Sequence, residues 1–142
     1  EDTGIPAILR DTQVLSIWEG TTNVLSLDVL RAMEPGGVAT VRAEVARLAE
    51  EVRDPVLLPV ARAALRAVDD ASAWLADAAR SGRPEVEAGA RRFALTLGRA
   101  QEAALLAAHA EAEGDAFGGD AAAAARRLAR NGLVLIHPIE SS

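Results

Sequence analysis

A glutamate stands between a tryptophan and a glycine in the run Ile17-Trp18-Glu19-Gly20-Thr21-Thr22-Asn23. Apolar sequence flanks the run on both sides. A carboxylate beside an indole loses hydration, which raises its pKa toward neutrality and makes it a stronger base. Gly20 lets the backbone turn sharply or approach a planar ligand closely. Thr21, Thr22 and Asn23 add hydrogen-bonding groups at the start of the following helix, where free backbone N–H groups also point outward. The set suits a carboxylate base, Glu19, next to a polar or phosphorylated cofactor. Plainer readings stand beside this one. Glu19 can be a solvated charge at a helix end, Trp18 can be core packing, and Thr21 or Thr22 can cap the helix through a hydroxyl that accepts a free N–H.

These residues need a frame, and the frame reads as helical. Pro6 starts a short helical turn through Leu9, which Arg10-Asp11 closes. Residues 22–34 form a helix with Val24, Leu27, Leu30 and Met33 on one face, and Pro35-Gly36-Gly37 ends that section. Across 38–53, Val38, Val41, Val45, Leu48 and Val52 fall at alternating steps of three and four, which makes a single apolar stripe. Asp54-Pro55 breaks it, and a turn through 55–58 leads to a helix over 59–80, because Pro59 is tolerated only at a helix start. Its stripe reads Ala61, Leu65, Val68, Ser72, Leu75 and Ala79. A break at 81–84 precedes a long helix from 84 to about 113, striped by Val86, Ala90, Phe93, Leu97, Ala100, Ala104 and Ala107. Asp120 caps a last helix through Arg130, closed by Asn131-Gly132. The tail is apolar and then irregular past Pro138. Near-heptad stripes joined by short breaks predict an all-α fold, an antiparallel helical bundle.

Composition narrows the function classes. Half of the 142 residues are apolar but only 3% are aromatic, which favours helices packed through small side chains over a β-sandwich. Cysteine is absent, so disulfides and thiol chemistry are excluded. The two histidines, His109 and His137, are far apart, and no metal site is expected. His109 reads as a helix-surface residue, and Trp74 and Phe93 as core. Every basic residue is arginine, and the net charge is −6, which repels nucleic acid and anionic membranes. No apolar run reaches bilayer-spanning length and none resembles a signal peptide, so the expectation is a cytoplasmic protein without a membrane partner. The opening at Glu1 reads as the C-terminal part of a longer polypeptide.

The run around Glu19 resembles the C-terminal signature of acyl-CoA dehydrogenases, an aromatic residue followed by Glu-Gly-Thr. Arg10-Asp11 resembles the arginine-aspartate that precedes the signature. Trp18, and Leu27-Asp28-Val29-Leu30-Arg31 after it, are similar to the AidB-like (alkylation-response) branch. The resemblance implies FAD as cofactor and an acyl-CoA thioester as substrate. Glu19 then removes the α-proton, the β-hydrogen passes as hydride to the flavin, and an enoyl-CoA forms. Trp18, Gly20, Thr21 and Asn23 are the implied cofactor-binding positions. The resemblance further implies residues 1–34 as the end of the dehydrogenase C-terminal helical domain, residues 38–142 as an additional C-terminal helical bundle, and a homo-oligomer. The remaining walls of the flavin and thioester sites belong to upstream domains, so the isolated chain is expected to turn nothing over. Two other readings compete. One makes the helices from 38 onward an oligomerisation or nucleic-acid-binding module of a DNA alkylation-response protein, the nucleic-acid version being disfavoured by the acidic balance. The other is a plain interaction bundle with a chance signature match.

Overall fold

The computed structural model describes residues 4–15, 21–33, 36–114 and 118–137. They form six helices: α1 (Ile5–Leu15), α2 (Thr22–Ala32), α3 (Gly37–Glu51), α4 (Leu58–Ser81), α5 (Arg83–Glu113) and α6 (Gly118–Arg130). No strand occurs among the described residues, so the all-α expectation holds.

α5 is the axis of the bundle. α2, α3, α4 and α6 all pack against it. Only Gly82 separates α4 from α5, at φ 116°, a backbone conformation that side chains rarely tolerate. Its carbonyl accepts the N–H groups of Glu85 and Val86, and its own N–H donates to the carbonyl of Ala78, so one residue closes both helix ends. The chain therefore doubles back, and Trp74 near the end of α4 meets Phe93 near the start of α5, with ring centroids 5.7 Å apart.

The α4–α5 contact is built mainly from alanine. Ala61, Ala64, Ala67, Ala71 and Ala78 of α4 are buried, as are Ala90, Ala100, Ala103, Ala104 and Ala107 of α5. Alanine loses no rotamer freedom on burial and lets the helices approach closely. This corrects the expected stripe of α4. Ser72 and Ala79 are exposed and Leu65 and Leu75 only half-buried, while Ala71, Trp74 and Ala78 point into the core. Close backbone approach favours the alanine face, and the larger leucines fill its margins. The α5 stripe holds, with Phe93, Ala100, Ala104 and Ala107 at 0% exposure.

Other boundaries shift for local reasons. α1 continues through Arg10-Asp11 to Leu15 instead of ending at Leu9, because neither residue breaks a helix. On α2, Ser26 and Leu30 are buried and Leu27, Val29 and Met33 pack against the core, but Val24 is exposed. α6 begins at Gly118, so Asp120 lies inside its first turn, where a carboxylate still suits the helix start. Pro59 sits in the first turn of α4, as expected. The tail from Leu133 to His137 folds back along α5. Leu133 is buried, the Leu135 N–H donates to Thr96 Oγ1 at 3.0 Å, and Arg99 donates to the Gly132 carbonyl at 2.8 Å. The buried Thr96 hydroxyl itself donates to the Arg92 carbonyl, so it both donates and accepts. The irregular tail past Pro138 lies outside the described residues.

A carboxylate secures the α3–α4 corner. Glu111, near the end of α5, accepts hydrogen bonds from the backbone N–H of Asp54 at 2.8 Å and of Arg53 at 2.9 Å. These two donors, Asp54 first, hold the Glu111 carboxyl below its ordinary value. A depressed folded pKa stabilises the fold fully above the unfolded value, 4.5, and the contribution fades as pH falls below it through the folded value. Glu111→Gln keeps an acceptor but removes the titration. The urea midpoint of the unsubstituted chain is therefore expected to fall more steeply than that of the variant between about pH 5 and pH 3. Parallel slopes would show that Glu111 does not carry this contact into solution.

Candidate functional site

α2 carries the end of the Glu19 run into the bundle. Its inner face docks on α5 through Leu30, while the buried Ser26 Oγ donates to the Thr22 carbonyl at 2.6 Å. Thr21 occupies the N-cap position with extended backbone (φ −67°, ψ 158°), and its carbonyl accepts the Leu25 N–H at 3.0 Å. The expected hydroxyl cap is absent: the Thr21 side chain makes no capping hydrogen bond. Thr21, Thr22 and Asn23 are all exposed. The helix start is thus closed by backbone alone, which leaves two hydroxyls, an amide and the first N–H groups of α2 open to solvent. Trp18, Glu19 and Gly20 lie outside the described residues.

Arg10 and Asp11 are exposed on α1. On α2, Arg31 is exposed and paired with Asp28 one turn earlier. His109 is exposed on α5, as its sequence position suggested, and Trp74 and Phe93 are core.

A cleft of about 470 Å³ opens where α2 meets the α4–α5 turn. Leu27, Leu30, Ala79 and Val86 supply apolar wall, and Arg31, Arg83 and Glu87 stand at its edge. Arg83 donates to Glu87 at 2.7 Å. Both guanidinium groups therefore face carboxylates of their own helices. The cleft holds no nucleophile paired with a base, so it suits packing or binding more than chemistry. Sequence reading missed it, although Leu27, Leu30 and Val86 were recognised as apolar-face positions. Nothing in a linear pattern says that the start of α5 and the end of α4 meet the flank of α2.

Several other charges are held in ion pairs on the helix surfaces. Arg42 of α3 holds Asp69 of α4 at 2.6 Å, and that hydrogen bond raises the arginine pKa. Arg47 sits between Glu44 and Glu51, and its hydrogen bond to Glu44 lowers that carboxyl. Arg80 pairs with Asp77. Among the described residues no cluster of histidine and carboxylate side chains could hold a metal ion, and no helix is long and apolar enough to cross a membrane.

Comparison with known proteins adds to this geometry. The family described as acyl-CoA dehydrogenase 11 C-terminal domain-like matches residues 38–140. The chain is also similar to acyl-CoA dehydrogenase family member 11 of Caenorhabditis elegans, at 38% identity over 119 residues. That alignment takes in 78% of this chain and 19% of the worm protein, so the chain spans a small part of its relative's length. No solved structure matches.

Proposed function

Because this chain belongs to the acyl-CoA dehydrogenase 11 C-terminal domain-like family, we propose that it is the C-terminal part of an FAD-dependent acyl-CoA dehydrogenase of the AidB-like branch. The observation that carries the proposal is the Trp18-Glu19-Gly20-Thr21 run, set directly before a helix that is docked on the family's bundle. Residues 1–34 would then close the dehydrogenase's own helical domain, and residues 38–142 would be the appended bundle. The family match from residue 38 supports that division.

In this reading Glu19 removes the α-proton of an acyl-CoA thioester. Bound FAD supplies the acceptor for the β-hydrogen. The polar groups at the start of α2 fit such a cofactor: the open hydroxyl of Thr21, the Asn23 amide and the unsatisfied N–H groups of the first turn can each donate to an anionic or carbonyl oxygen. Trp18 and Gly20 would complete that wall, the indole excluding water from the carboxylate and the glycine allowing close approach. The burial of Leu30 and Ser26 in the bundle gives the wall its base.

The test uses the longer polypeptide that this reading implies. Anaerobic addition of acyl-CoA should bleach the oxidised flavin absorbance. Glu19→Gln should retain the flavin but slow bleaching by about a thousandfold, the size expected for loss of a positioned general base. Undiminished bleaching would remove Glu19 as the base. A longer protein that purifies without flavin would remove the oxidoreductase reading altogether.

A further inference from the structure

We propose that the outer face of α5 is a self-association surface, on which α5 of a second copy of this chain lies antiparallel. Gly98 is the starting point. It sits in the middle of a 31-residue helix, it is exposed, and a side chain placed there would meet nothing within 4 Å. Glycine weakens a helix interior relative to alanine, and no neighbour among the described residues requires it at 98. Gly89 on the same helix is different, because Trp74 occupies the space of its missing side chain.

The residues around Gly98 form a seam. Arg91, Leu95, Gly98, Glu102, Leu105 and His109 recur at alternating steps of four and three, and all six are exposed. That spacing is the repeat by which two helices pack along each other, yet here it faces solvent and not the core. Leu95 and Leu105 are 38% and 48% exposed, and a shallow, mainly apolar groove runs past Gly98, Glu102 and Leu105.

Charge and size choose the partner and the register. In one antiparallel register Leu95 lies over Gly98 of the other copy, and Leu105 over its Ala88, which is also exposed. Each leucine then fills the space left by a small residue. The same register sets Arg91 opposite Glu102 of the other copy, twice by symmetry. Among the described residues neither side chain has an ion-pair partner within its own chain. A parallel arrangement would put Arg91 on Arg91 and Glu102 on Glu102. The seam is thus self-complementary only when antiparallel.

Sedimentation equilibrium of this chain tests the proposal. A contact confined to one helix is small, so a dissociation constant of about ten micromolar or weaker is expected. Arg91→Glu and Glu102→Arg should each weaken association about tenfold or more, and the double variant, which exchanges the two signs, should restore it. Both sites are exposed, so circular dichroism melts should stay unchanged across the set. A chain that remains monomeric up to about 1 mM overturns the proposal and leaves the face for another segment of a longer polypeptide or a different protein. A dimer that is indifferent to the single exchanges, or that the double exchange does not restore, overturns the register.

Discussion

Gly89→Ala is expected to destabilise the bundle by about 3 kcal/mol, the upper range of overpacking in a filled core. The added methyl would lie 2.0 Å from Cζ2 and 2.3 Å from Cη2 of Trp74, so the indole must move. It has little room to do so: Trp74 is buried and packs against the fully buried Phe93. Urea denaturation at neutral pH measures the loss directly. A second background separates steric conflict from other causes. With Trp74→Leu in place the conflict disappears, and Gly89→Ala should then stabilise the helix by about 1 kcal/mol through propensity alone. A change of sign between the two backgrounds is the signature. A neutral or stabilising Gly89→Ala in the otherwise unsubstituted chain would show that Trp74 does not rest on Gly89.

Phe93→Ala is expected to cost still more, about 4 kcal/mol. Phe93 is the largest of the fully buried side chains among the described residues, and the buried core as a whole is alanine-rich. Alanines cannot reach into the space a phenyl ring leaves and Trp74 is itself held in the core, so much of the cavity should persist and add its penalty. Against a total stability of about 5–15 kcal/mol this approaches global unfolding. Differential scanning calorimetry checks it, and Phe93→Leu gives the scale: a side chain that partly refills the space should recover more than half of the loss. If both variants melt with the unsubstituted chain, the bundle is not organised around this ring.

Both predictions fall at the same place, the α4–α5 turn, and that place also bears on the candidate site. The cleft beneath α2 is walled by Ala79 and Val86 on either side of that turn. A displaced Trp74 or a lost Phe93 would loosen the α4–α5 hairpin on whose second helix α2 is docked. The start of α2, with Thr21 and Asn23 exposed, would lose its rigid base along with the core. Stability and the proposed cofactor wall are in this sense coupled through one turn of the chain.

Much of the helical order was legible along the chain because its punctuation is chemical. Pro59 can stand only in a first helical turn, and Gly82 alone tolerates the φ at the α4–α5 junction. The valine stripe of α3 identified its buried face because large apolar residues there are separated by charged ones, and on α5 Phe93 and Leu97 set the phase that the alanines on the same face then follow. The same rule failed on α4. It followed Leu65 and Leu75, whereas close packing selected the alanines, and small side chains carry little hydropathic contrast. The candidate site divides similarly. The Glu19 run is readable because a carboxylate, an indole and a glycine in apolar sequence have few structural uses together. Its setting is not readable, because Thr21 as an uncapped helix start depends on how α2 is held.

The sequence by itself therefore determined the helical class and most of the breaks between helices, since each follows from local backbone chemistry and short-range pattern, and it carries the run around Glu19 that resembles a family signature. Only the tertiary structure decided which face of α4 is inside, that Gly89 exists for Trp74, and that Glu111 reaches across to the amides of Arg53 and Asp54. It also decided that the heptad-spaced seam of α5 faces outward. Each of these joins residues far apart along the chain, and such pairings are set by the fit of surfaces, which no single stretch of sequence contains.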